Sequence, residues 1–126
     1  MVYRKLLTAS LLILFLVLGS QSYGAYSEWN EYATFKITIE AEGIIYEWEY
    51  ENPDSFEYEI ENRIYRGIEA KESFEEILAI LDLSKDTIVD EEISLLREKG
   101  LGDIERVEVR QRDRNLFLTT WLWSKE

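Results

Sequence analysis

Between Phe35 and Glu61 apolar and polar residues alternate at nearly every position. Side chains of a strand point to opposite faces in turn, so this spacing predicts strands. In the first, Phe35, Ile37 and Ile39 lie opposite Lys36, Thr38 and Glu40; in the second, Tyr46, Trp48 and Tyr50 lie opposite Glu47, Glu49 and Glu51. The third sets Phe56, Tyr58 and Ile60 against Glu57, Glu59 and Glu61. Glu42-Gly43 reads as a two-residue hairpin turn. Bringing the two aromatic rows side by side requires an odd-numbered loop around Asn52-Pro53-Asp54, so that Tyr50 meets Phe56 and Trp48 meets Tyr58. A slip of one residue would set glutamates against rings. In this register Ile37 lies beside Trp48, Lys36 beside Glu49, and Glu49 beside Glu57. The row of glutamates then reads as the wet side of a sheet, partly neutralised by its own lysine.

The period changes in the middle of the chain. Phe74, Ile77, Leu78 and Leu81 recur at helical spacing within Ala70 to Leu83 and form one apolar stripe. A second helix is expected after Thr87 as its cap, with Asp90, Glu91 and Glu92 near its positive end, Arg97 and Lys99 in its last turn, and Gly100 closing it. Val89, Ile93 and Leu96 are its buried stripe. Strands return in Ile104 to Arg112 and in Leu116 to Trp123. The last carries Leu116, Leu118 and Leu122 on one face and Phe117, Trp121 and Trp123 on the other, a pattern usual for a central strand covered on both sides. The expected fold is α+β: a two-layer domain with a mainly antiparallel five-stranded sheet and two helices on one face, in the order βββααββ.

The first residues change where this domain is expected to work. Arg4 and Lys5 precede an uncharged run, Leu6 to Leu18, and small residues follow through Ala25. This is the layout of a secretory signal peptide. The run is shorter than the roughly 20 apolar residues of a spanning helix. Ser22 and Gly24 favour cleavage before Ala25, and the absence of cysteine excludes lipid attachment beside that site. The expected organisation is a signal peptide at 1–24, an N-terminal segment at 25–32 and one domain at 33–126. The expected location is secreted, with no membrane association once the signal is cleaved.

Removing Arg4 and Lys5 from the 14 basic residues leaves 12 against 26 acidic ones, a net charge of −14. Such a field repels nucleic acid and anionic lipid and favours basic peptides, basic protein surfaces or cations. With neither histidine nor cysteine the chain has no His-based triad, no thiol nucleophile and no usual zinc, haem or iron–sulfur site. A glycosidase-like carboxylate pair needs a cleft and one raised pKa, and about 100 residues leave little room for one beside a core. The segment Asp82 to Glu92 is acidic, but it lacks the sixth-position glycine and twelfth-position glutamate of a calcium loop. No catalytic residue, metal ligand or cofactor is therefore expected.

The acidic strand pair, the step Arg66-Gly67-Ile68-Glu69-Ala70 into the first helix, the link Leu83-Ser84-Lys85-Asp86-Thr87 and the final hairpin RVEVRQRDRNLFLTTWLW together resemble the YusW-like group of small exported proteins of Gram-positive bacteria. The resemblance implies an envelope location and no catalysis, and it carries no site residues. Members of that group tend to be lipoproteins, whereas this chain has no cysteine to anchor. The function expected is a non-catalytic binding or inhibitory module for a protein or basic peptide, with an acidic protein binding calcium or another hard cation as the alternative. The candidate protein-binding patch is Phe117, Trp121 and Trp123 beside Arg106 and Arg110, unless Tyr26, Trp29 and Tyr32 fold back over the three rings.

Overall fold

The structure is a computed structural model, and it describes residues 32–126. The expected signal peptide at 1–24, its cleavage site, and all of the N-terminal segment except Tyr32 lie outside the described residues. No helix among the described residues is long and apolar enough to cross a membrane.

The alternating segments form β1 (Thr34–Ala41), β2 (Ile44–Glu51) and β3 (Ser55–Ile60), and a fourth strand follows, β4 (Arg63–Arg66). Then come α1 (Ile68–Ile80), α2 (Asp90–Leu96), β5 (Ile104–Arg112) and β6 (Leu118–Ser124). The fold is α+β, but its antiparallel sheet has six strands, not five, and the element order is ββββααββ. The extra strand is the tetrapeptide Arg63-Ile64-Tyr65-Arg66, turned back on β3 at Glu61-Asn62 with Ile60 facing Arg63. Its arginines and Ile64 are exposed, so it has little of the alternating burial that marks a strand in sequence.

Strand order is β4-β3-β2-β1-β5-β6. The first hairpin turns at Glu42 and Gly43, with φ of 51° and 77°. Positive φ at both positions is the turn whose twist suits paired strands. The three-residue loop Asn52-Pro53-Asp54 sets Tyr50 against Phe56 and Trp48 against Tyr58, and Ile37 lies against Trp48. One row across the sheet therefore runs Tyr65, Tyr58, Trp48, Ile37, Val109, Trp121. Its neighbour runs Phe56, Tyr50, Phe35, Gln111, Thr119. Both rows lie under the helices. Phe74 of α1 meets Phe35 edge-on at 5.6 Å between ring centres, and Trp48 donates its indole N–H to Ser73 Oγ at 2.8 Å.

Both helices begin away from where the apolar stripe alone puts them. The first starts at Ile68, which is exposed and so invisible to the stripe; its buried residues are Ala70, Phe74 and Ile77. The second starts at Asp90 rather than after Thr87. Glu92 explains the shift: its carboxylate, 5% exposed, accepts the backbone N–H of Val89 at 2.7 Å and also that of Asp82. One buried side chain thus occupies a free donor at the helix start and ties down the connecting segment. Ile93 and Leu96 complete the buried stripe. The helix ends in a wider turn, Arg97–Leu101, with Gly100 at φ 110°. Gly102 follows at φ 82°, where a β-carbon would sit within 3 Å of the Glu42 carboxylate. The conformation is what favours glycine there, since the Glu42 carboxylate is the far end of an exposed side chain that can swing aside.

Candidate functional site

Among the described residues no helix lies on the opposite face of the sheet. Here the rows read Arg66, Glu57, Glu49, Lys36, Arg110, Thr120 and Ile64, Glu59, Glu47, Thr38, Glu108, Leu122. Lys36 does stand beside Glu49 in register, but its ammonium pairs diagonally with Glu47 at 3.6 Å. Arg66 pairs with Glu57 at 3.1 Å, and Glu108 is held between Arg106 at 2.6 Å and Arg110 at 2.7 Å. Glu47, Glu57 and Glu108 are thus paired with cations, while Glu49 beside Glu57 and Glu59 beside Glu47 lie in a line along the rows instead of converging. Among the described residues no group of three or more Asp and Glu is placed to hold a metal ion.

The five residues of the candidate patch do not share a face. Odd-numbered Trp121 and Trp123 point under the helices, where Trp121 is 7% exposed and Trp123 half-buried. Each indole N–H has a partner: Trp121 donates to the carbonyl of Lys85 at 2.7 Å, and Trp123 to Asp90 Oδ1 at 3.0 Å. Arg106 and Arg110 lie on the open face, both committed to Glu108. Phe117 alone of the three rings is fully displayed, at 71% exposure. A tight turn holds it: Asp113 Oδ1 accepts the N–H groups of Asn115 and Phe117 at 2.8 and 3.0 Å, and Leu116 takes a φ of 69°. Tyr32 lines a depression together with Phe117 and Trp121.

What brings an apolar surface together is the position of β6. It is an edge strand, not the central one its two apolar faces suggest. Its pairing with β5 uses one side of the backbone, and among the described residues no strand pairs with the other. Leu118 and Leu122 stand on the open face at 52% and 53% exposure, with Leu116 at 70% in the approach. From Asn115 to Ser124 there is no charged residue. Edge strands are normally blunted by charge, proline or brevity, because their free N–H and C=O groups template another strand. This one has none of those devices. Its surroundings are also less acidic than the other side of the sheet: from Ile104 to Glu126 five basic residues meet four acidic ones, whereas β2 and β3 carry five glutamates and no base.

Leu116, Leu118 and Leu122 are surface residues, although apolar residues on both faces of a strand predict cover on both. The signal that places them at an edge is positional: a final strand joined by a hairpin has a neighbour on only one side unless an earlier strand returns to it. At the far end of β6, Lys125 Nζ bonds Asp103 Oδ2 at 2.7 Å, which fastens the strand's exit to the start of β5. That bond and the Lys125 charge, with Arg97 assisting, hold the Asp103 carboxyl below the ordinary aspartate range. Protein-family models, curated proteins and solved structures offer no match to the chain.

Proposed function

We propose that this protein is an exported, non-catalytic binding module that takes up an extended polypeptide segment along the outer edge of β6. The observation that carries the reading is the edge itself: a seven-residue strand whose outer backbone side pairs with no strand among the described residues, with apolar side chains on both faces and no charge. Addition of a strand to such an edge draws affinity from main-chain hydrogen bonds and specificity from alternate side chains. The partner fitting it is apolar at alternate positions, to lie beside Leu118 and Leu122, and basic at its ends, to suit the acidic field of the rest of the chain. The leader-like start and the YusW-like resemblance both support a place outside the cytoplasm.

The export half of the proposal predicts a protein whose first residue is Ala25 or one within a few positions of it, read by N-terminal sequencing. An intact, membrane-retained start would contradict it. The edge half is tested by Thr120→Glu combined with Leu122→Lys. Each new charge faces an opposite one on β5, Arg110 for position 120 and Glu108 for position 122, so the fold is expected to keep its stability within about 0.5 kcal/mol. The free side of the strand becomes charged, and the polypeptide captured by the unsubstituted protein is expected to be lost. Retained capture would place the contact elsewhere.

A further inference from the structure

The hydrogen bonds at the two ends of β6 show which of its main-chain groups turn inward. Lys125 donates its N–H to the Glu105 carbonyl, and the Phe117 carbonyl accepts from Asp113, so odd-numbered residues face β5. Main-chain groups in an antiparallel pair change sides from one residue to the next. Leu118, Thr120 and Leu122 therefore hold their N–H and C=O groups outward, at an edge with no partner strand among the described residues. Outward from Thr120 that edge is the same in both directions, with a leucine two residues to either side.

Granted that the β6 edge is the binding strand, we propose that its partner is β6 of a second copy of this chain, antiparallel about a two-fold axis through Thr120. An interface on a two-fold axis must be complementary to itself. Here Thr120 exchanges both main-chain bonds with Thr120 of the second copy, and Leu118 and Leu122 of each copy pair with Leu122 and Leu118 of the other. On β5, Arg112 lies beside Leu118 and Glu108 beside Leu122, so each leucine pair is flanked by a cation from one copy and an anion from the other. The same register sets exposed Phe117 opposite half-buried Trp123 on the helix side. Moving the axis to Trp121 would set Leu118 against Ser124 and Leu122 against Thr120, which separates the leucines. The strand also meets the requirement for basic ends, with Arg112 and Arg114 before it and Lys125 after it.

Net charge does not forbid the pairing. In the joined sheet the order is β2-β1-β5-β6-β6-β5-β1-β2, which puts the two β2 strands about 30 Å apart, more than three Debye lengths of about 8 Å. The glutamate rows of the two copies are thus screened from each other. The contact is one strand wide, short of a permanent interface, so the dimer is reversible.

Sedimentation equilibrium from micromolar to millimolar concentration is expected to show monomer and dimer in reversible exchange. Thr120→Glu and Thr120→Lys each set like charges face to face on the axis, and each should weaken the dimer on the order of 100-fold. An equal mixture of the two should recover it, because every glutamate then meets a lysine. Should Thr120→Lys, which faces Arg110, fail to fold, Thr120→Cys decides instead. The chain has no other cysteine, and Cα atoms about 5.5 Å apart on the axis are within reach of a disulfide. Mild oxidation should then link the copies through position 120 but not through Thr119→Cys, which would face Trp121. A protein monomeric throughout the range would overturn the proposal and leave the edge to a foreign polypeptide, whose loss in the Thr120→Glu, Leu122→Lys protein is a separate measurement. A dimer indifferent to both single charges would place the self-contact elsewhere, and one lost in both but not recovered in the mixture would move the axis off Thr120. Either result overturns the pairing.

Discussion

Trp48→Ala is expected to unfold most of the domain at 37 °C. The side chain is 1% exposed and sits in the middle of the longest row of the buried face. Tyr58 stacks on it at 5.0 Å with 9° between the ring planes, and Tyr46 stacks at 6.1 Å. Its indole N–H is the donor to Ser73, so the ring also fixes α1 against the sheet. Truncating a buried tryptophan costs about 3 to 5 kcal/mol, and small domains hold about 5 to 15 in all. With no disulfide to limit the unfolded chain, nothing offsets that loss. Urea unfolding followed by far-ultraviolet circular dichroism should show the midpoint collapse for Trp48→Ala and a smaller decrease for Trp48→Phe, which keeps a ring but drops the bond to Ser73. Equal midpoints for Trp48→Ala and the unsubstituted protein would contradict the packing described.

Glu92→Gln tests the second large effect, which comes from a polar group. The carboxylate offers two acceptor oxygens and serves two backbone donors, those of Asp82 and Val89, while 5% exposed. An amide keeps one acceptor and turns an N–H group toward the other donor. One buried N–H is then unpaired and opposed, at a cost of about 2 kcal/mol. The effect should spread along the connecting segment, because the carbonyl of Lys85 within it receives the Trp121 indole. Hydrogen exchange at the amides of Asp82 and Val89 is expected to accelerate, and tryptophan emission to shift toward that of a wetter ring. Glu91→Gln, one residue earlier on the exposed side, should do neither.

The parts of this fold that sequence makes legible are those set by local period. Alternation over Phe35 to Glu61 puts the aromatic rows on one face, since a slip of one residue buries glutamate, and the three-residue loop between them aligns Trp48 with Tyr58 and Tyr50 with Phe56. The parts it hides are non-local. Nothing near LFLTTWLW says whether one strand or two will lie beside it; that depends on β1 pairing with β5 across some seventy positions of chain. Apolar residues on both faces imitate a central strand, and the edge position becomes visible only with the whole strand order. The same parity that puts Trp121 and Trp123 under the helices puts Arg106 and Arg110 on the other face, which divides the expected patch. β4 is hidden for a different reason: with Arg63, Ile64 and Arg66 exposed, its place in the sheet comes from backbone pairing more than from burial.

Hydrogen–deuterium exchange on the protein, alone and bound to the polypeptide it captures, tests the central claim most directly. Strand addition at the edge predicts that amides within Leu118 to Ser124 slow markedly in the complex, while those of β4 at the opposite edge stay as they were. Unchanged exchange along β6, with protection appearing instead at β4 or over the glutamates of β2 and β3, would contradict it.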